Sequence, residues 1–412
     1  MNDLLGFASI SIVIFFTTLI ALRWPGISRI IFTALICRIF VMLVGHYFIE
    51  LPDSNFDAKG FENLAWQMGQ NGFFNTLDKF PGYNSFYYSW INGLLYSLFG
   101  RSILMIQSIN MMFNIFSIFL GWLLVKKIWN DDAATKAGWV FALFPSLILY
   151  SILPLRESFN IFFLVVATFG VSSWVKKKDL KSIVIAISGF VGAALFHGVL
   201  ILGAMIFLLV VGIVSFKNFL WLIYNKRLNI KHLFVIIIAT TYFILFLFNF
   251  IKIPYLGTFE QASSMSWISS NVKFRISGDA AYSSWATLNS GVDLLYKSFL
   301  RVIYFLFSPF PWNIKKTIHL IGMIDGILYM FIIFILIKNL NSILKNPPLR
   351  IILLILMCYF FIYGIGVSNF GAGIRHRSKF VIELIILISP FLPSLKLFKN
   401  KKTNNKIINH SI

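Results

Sequence analysis

Two groups of charged side chains in this otherwise apolar chain are spaced for chemistry. The first is acidic: Glu50, Asp53, Asp57 and Glu62 lie within ELPDSNFDAKGFENLAWQMGQNGFF. Carboxylates set this closely serve as general bases or hold a divalent metal. They also cap helices, because an Asp near a helix N-terminus satisfies free N–H groups and the dipole. For Asp53 and Asp57 the sequence leaves both roles open. The second group is basic: GAGIRHRSKF places Arg375, His376, Arg377 and Lys379 between two strongly apolar runs. The arginine fork matches phosphate oxygens in bidentate fashion, and Gly371 and Gly373 let the backbone bend closely around a headgroup. KFRISGD adds Lys273 and Arg275. Interfacial lipid is the competing partner for these bases. Glu157 follows Arg156 in a very short turn, ILPLRESFN, where it either joins a site or starts the next helix.

The elements that must position these groups are membrane spans. The chain has 412 residues, 58% hydrophobic and only 12% charged, with a mean hydropathy of +0.81. A soluble domain is nearer 45–50% apolar and about 25% charged. The net charge of +21 is then topological, because Lys and Arg collect on cytoplasmic loops. No soluble basic domain is visible, and nucleic acid is not an expected partner. Cys37 and Cys358 fall inside apolar runs, without disulfide or zinc-site spacing. The first apolar run is long and lacks a basic n-region, which reads as a retained anchor.

Runs long enough to cross as helices are expected at 4–22, 30–49, 103–125, 138–154, 158–174, 182–196, 199–215, 233–250, 318–337, 351–367 and 380–396. The fold class is therefore an all-α polytopic membrane protein of about eleven spans, one transmembrane domain over 1–412. VKKKDLK (175–181), NKRLNIK (225–231) and the tail, basic and cytoplasmic over 397–412, set the orientation. Two long outer loops follow, 50–102 and 251–317. From Asp57 onward Phe61, Leu64, Ala65 and Met68 recur at helical spacing, an amphipathic helix on the membrane surface. The stretches 84–100 and 298–312 are read as interfacial or re-entrant, since their Tyr and Trp suit the headgroup region. Arg38, inside the second span, needs a partner, with Asp325 one candidate and a lipid phosphate another. His197 reads first as a satisfied core histidine.

The runs DAKGFENLAWQMGQNGFF, FPGYNSFYYSWINGLLYSLFG, QSINMMFNIFSIFLGWLLVKKIW and AGWVFALFPSLILYSILPLRESFNIFFLVVATF together resemble the N-terminal half of GT-C membrane glycosyltransferases. The likeness is to the family 39, protein-mannosyltransferase-like type and covers about 55–170. It lies in motif order and hydropathy. The resemblance implies an outward-facing site, a polyprenyl-phosphate-linked sugar as donor, and a catalytic acid in the first outer loop, a position matched by Asp57 or Asp53. A second acidic position falls near Glu157. This chain departs from the pattern at Phe61, where the family often has Tyr.

Such a transfer needs a base for the acceptor hydroxyl and charge stabilisation for the departing phosphate. Asp57 or Asp53 would supply the first, and Arg375 and Arg377 the second, with His376, Lys379 and Arg275 beside them. Tyr83, Tyr87 and Trp90 would stack on sugar rings. The acceptor would be a saccharide or glycolipid of the envelope, and the location a bacterial inner membrane. No cofactor is specified; a divalent metal on the carboxylates stays open. Repeat-unit polymerases of O-antigen or capsule, with lipid diphosphate oligosaccharide donors, are the nearest rival reading. A lipid flippase or transporter is the other, although few charges fall within spans and no internal repeat is seen.

Overall fold

The structure, a computed structural model, describes residues 2–82, 86–224, 240–241, 244–245, 248–249, 252–253, 257–276 and 278–393. Among these residues the chain is helical, with no strand and two isolated bridges. The first half runs α1 (Asn2–Arg23), α2 (Ser28–Tyr47), α3 (Asp57–Gly69), α4 (Phe73–Asp78), α5 (Tyr87–Phe99), α6 (Ile103–Ile128), α7 (Asp131–Leu143), α8 (Pro145–Ile152), α9 (Glu157–Lys177), α10 (Leu180–Phe196) and α11 (Ile201–Tyr224). The second half runs α12 (Phe259–Ser263), α13 (Met265–Phe274), α14 (Gly291–Phe307), α15 (Thr317–Lys338), α16 (Leu340–Lys345), α17 (Pro347–Gly366), α18 (Phe370–Arg377) and α19 (Val381–Ile388).

Seven described helices are long and apolar enough to cross a membrane, or eight if α7 and α8 make one bent crossing. This is the architecture of a multi-pass membrane protein. The seven answer to the expected runs at 4–22, 30–49, 103–125, 158–174, 199–215, 318–337 and 351–367. The expected run at 182–196 is α10, a shorter apolar helix. The run at 380–396 is represented by α19 and a 3-10 turn ending at Phe391. The run at 233–250 lies almost wholly outside the described residues, as do the basic segment 225–231 and the tail.

At 138–154 a continuous helix was expected, and the structure has a 54° bend there. Pro145 explains it. Proline has no N–H to give the carbonyl four residues back, and it drives the preceding residue out of the helical region. Phe144 is accordingly extended, at ψ 122°. The bend strands the carbonyls of Phe141 and Ala142 in the interior. Arg38 answers them: its guanidinium donates to Ala142 O at 2.9 Å, to Phe141 O at 3.3 Å, and through Nε to Asn114 Oδ1 at 3.0 Å. The buried arginine of the second span is thus satisfied by helix-end carbonyls and Asn114, and the candidate Asp325 pairs with Arg377 instead.

α6 and α9 form the centre, with α1, α2, α7 and α8 on one flank and α10 on another. α9 and α10 approach until a Cβ at Gly170 would stand 2.3 Å from Ala186 N, and one at Gly189 the same distance from Ala167 N. Small residues permit this backbone contact, which drives helix association where lipid supplies no hydrophobic gain. α3 lies against α5, and its buried residues are Ala58, Glu62, Ala65 and Gly69. That buried stripe runs beside the expected Phe61, Leu64 and Met68, which are only partly buried. Neither α5 nor α14, which cover the two stretches read as interfacial, has span length. α14 packs on α17, α15 and α18. The lysines at the ends of α6 and α9 (Lys126, Lys127, Lys176, Lys177) mark one end of the bundle, and Glu157 lies at the other.

Candidate functional site

Three segments far apart in the chain bring charge to the Glu157 end. α3 begins with Asp57, α9 begins with Glu157, and α18 carries Arg375 in its last turn. Apolar contacts hold these segments together. Ile374, beside Arg375, packs with Ala58, Tyr150, Leu153 and Leu155 in one small cluster. The 3-10 turn Ser378–Phe380 lies against α9 and α8.

On this floor the charges interleave. Arg375 Nη1 donates to Asp57 Oδ2 at 2.6 Å. Arg375 Nε stands 3.6 Å from Glu157 Oε1, and Lys379 Nζ stands 3.7 Å from the same oxygen. Those last two distances allow attraction but no hydrogen bond. Glu157 Oε2 and Arg375 Nε have no hydrogen-bond partner. Lys379 Nζ lies 2.9 Å from His376 Nδ1, within hydrogen-bond distance. Exposure falls steeply across the cluster. The Asp57 side chain is 57% exposed, Arg375 15%, Glu157 1% and Lys379 0%. The site therefore opens at Asp57 and closes at Lys379.

Asp53 borders the opening. Its carboxylate accepts a 2.6 Å hydrogen bond from the Tyr150 hydroxyl. Desolvation raises its pKa above the ordinary carboxylate range, opposed by the Tyr150 hydrogen bond and the charge of Arg375. Arg375 is also desolvated, yet Glu157, Asp57 and Asp53 outweigh that loss and lift its pKa above the usual arginine value. It stays protonated throughout. The connecting loop is strained: Asp53 and Phe56 hold φ of 57° and 48°. Asp tolerates that region far better than Phe does. Phe56 is moreover 92% exposed.

The other acids of the first group are engaged elsewhere. Glu62 is buried, takes Arg101 through both oxygens at 2.9 and 2.6 Å, and accepts from Tyr96 at 2.8 Å. It fastens α3 to the α5–α6 corner. Glu50 pairs with Asn55 and Lys59 at the surface.

Arg377 does not face Asp57. It is fully buried, bonds Asp325 through Nε and Nη2 at 3.0 and 2.8 Å, and donates to the carbonyls of Leu306 and Ser308 at the end of α14. Arg275 donates to Gly366 O at the end of α17. Tyr87 and Trp90 stack on each other with centroids 5.7 Å apart, and the Trp90 indole donates to Thr76 O. Tyr83 lies outside the described residues. Among the described residues no three His, Cys, Asp or Glu side chains assemble as metal ligands.

One contributor escaped the sequence reading. Tyr150 sits in an apolar run, where an interfacial tyrosine looks no different from one that holds a carboxylate. His197, 3.0 Å from the Tyr363 hydroxyl and ring to ring with His376 at 5.2 Å, extends the polar line inward from Lys379.

No protein-family model, curated protein or solved structure matches this chain. The chain is a multi-pass helical membrane protein with a cluster of acidic and basic side chains at one end of its spans.

Proposed function

We propose that the cluster transfers a sugar from a polyprenyl-phosphate-linked donor to a saccharide or glycolipid acceptor of the envelope, at the outer face of a bacterial inner membrane. The observation that supports this most is the Asp57–Arg375 contact at 2.6 Å beside buried Glu157 and Lys379. It sets a carboxylate that can take a proton next to a guanidinium that can hold a phosphate.

In this reading the donor phosphate docks on Arg375 and Lys379 and displaces Asp57 from the guanidinium. Asp57, freed, takes the proton of the acceptor hydroxyl as that oxygen attacks the anomeric carbon. The bond from that carbon to the phosphate oxygen breaks, and the lipid phosphate leaves with the negative charge that the two cations offset. Glu157 keeps Arg375 and Lys379 aligned between turnovers. Asp53, anchored by Tyr150, holds a second negative charge at the opening. Arg377 acts at one remove, fixing α18 against α14 and α15.

Reconstitution tests the proposal. Purified protein in vesicles is given polyprenyl-phosphate-linked sugars together with envelope glycolipid. Release of polyprenyl phosphate with formation of a new glycosidic bond supports it. Movement of intact lipid between leaflets with no new bond replaces the transferase by a flippase.

A further inference from the structure

The other end of the bundle carries a second feature, separated from Glu157 by nineteen residues of α9, roughly 28 Å at the helical rise. A cavity of about 480 Å³ opens there, lined by Trp129, Lys176, Ser342, Lys345, Asn346 and Pro347 among others. Its walls come from both halves of the chain: the ends of α6 and α9, and the α16–α17 corner. Trp129 is fixed, since its indole donates to Ile386 O at 3.0 Å.

The charge around this cavity is one-sided. Lys176 donates to Lys127 O at 2.9 Å, and Lys127 to Ser173 Oγ at 2.8 Å, both neutral acceptors. The nearby acids are occupied: Asp131 pairs with Lys126, Asp132 with Lys136, and Asp179 caps α10. Among the described residues no carboxylate comes within ion-pair distance of Lys176 or Lys345. Lysines in a last helical turn do offset the helix dipole, which accounts for Lys176. It accounts for Lys345 in the last turn of α16 in the same way, but not for the two lysines meeting at one recess with Ser342 and Asn346 alongside. Basic recesses between spans at the cytoplasmic interface suit anionic headgroups, and the volume falls within the range of ligand sites.

We propose that this recess binds the phosphate headgroup of an anionic lipid from the leaflet at the basic end of the bundle. The lipid phosphate sits between Lys176 and Lys345, with Ser342 and Asn346 donating to its oxygens and Trp129 against its glycerol.

The probe is phosphatidylglycerol, compared with phosphatidylcholine, on the full-length protein in nanodiscs and by mass spectrometry of lipid retained after delipidation. Wild type should keep phosphatidylglycerol selectively and melt at a higher temperature in its presence. Lys176→Ala with Lys345→Ala should weaken that retention by on the order of tenfold or more, from about one kcal/mol for each surface lysine. Lys176→Arg with Lys345→Arg should retain it, which separates lost charge from lost fold. Equal retention of both lipids, or unchanged retention in the double alanine variant, overturns the proposal. Displacement of the lipid by millimolar glycerol phosphate alone reassigns the recess to a free phosphate and overturns it too.

Discussion

Arg375 and Arg377 stand two residues apart on one short helix and do opposite work. Arg375 meets carboxylates at the starts of α3 and α9, in a contact that reaches solvent through Asp57. Arg377 meets carbonyls at the end of α14 and one buried carboxylate, with no exposure at all. Arg38 and Arg301 share the second pattern: Arg38 answers the carbonyls freed by Pro145, and Arg301 those of Gly364, Ile365 and Val367 at the end of α17. Unsatisfied helix-end carbonyls are costly away from water, and the five-donor guanidinium is the side chain best able to answer several at once. What separates a structural arginine from a site arginine here is its partner. Main-chain carbonyls cannot leave, whereas a carboxylate at a solvent-facing helix start can be exchanged for a phosphate.

The contrast is broken most severely at Arg377. Arg377→Ala leaves Asp325 charged and uncompensated in the interior and frees the α14 carbonyls. The expected loss is about 3–5 kcal/mol, seen as failure to recover folded protein in detergent. If the variant folds and melts like wild type, the division between the two arginines is wrong. Arg375→Ala should leave the fold standing and weaken donor binding more than acceptor binding, read from the two Michaelis constants. A rise in the acceptor constant alone would move Arg375 to the other substrate.

A finer test uses pH. Desolvation holds the Asp53 pKa above the ordinary range, and the Tyr150 hydrogen bond draws it back. Tyr150→Phe removes that restraint, so the pKa rises further and the carboxylate is lost at a higher pH. If the charge of Asp53 is needed, transfer should fall off on the acid side at a higher pH in the variant than in wild type. A superimposable pH profile would take Asp53 out of the site.

Much of this was legible in the residue types. The acidic and basic groups that meet at the site, Asp53, Asp57, Glu157, Arg375 and Lys379, stand out in sequence because ionisable side chains at span ends are few. Which of them pair was not legible, since Asp57 and Arg375 are separated by 318 positions and no spacing links them. The separate fate of Arg377 had a signal. At 3.6 residues per turn, positions two apart face nearly opposite sides, whereas Arg375 and Lys379, four apart, share one. Glu157 indeed lies near both of the latter. The fold was readable at seven of the expected spans, because apolar length is a strong signal. Its bend at Pro145 was marked by the proline, yet the carbonyls it freed, and hence the partner of Arg38, depend on the packing of α2 against α7.

The most direct test of the proposed transfer places Asp57→Asn as the sole copy in cells and compares envelope saccharides by mass spectrometry with those of wild-type and deletion strains. Asparagine keeps the shape of the side chain and removes its capacity to accept the proton. The account predicts saccharides matching the deletion strain, with transfer reduced by on the order of 10² or more and the protein present in the membrane at normal abundance. Saccharides matching wild type would contradict it.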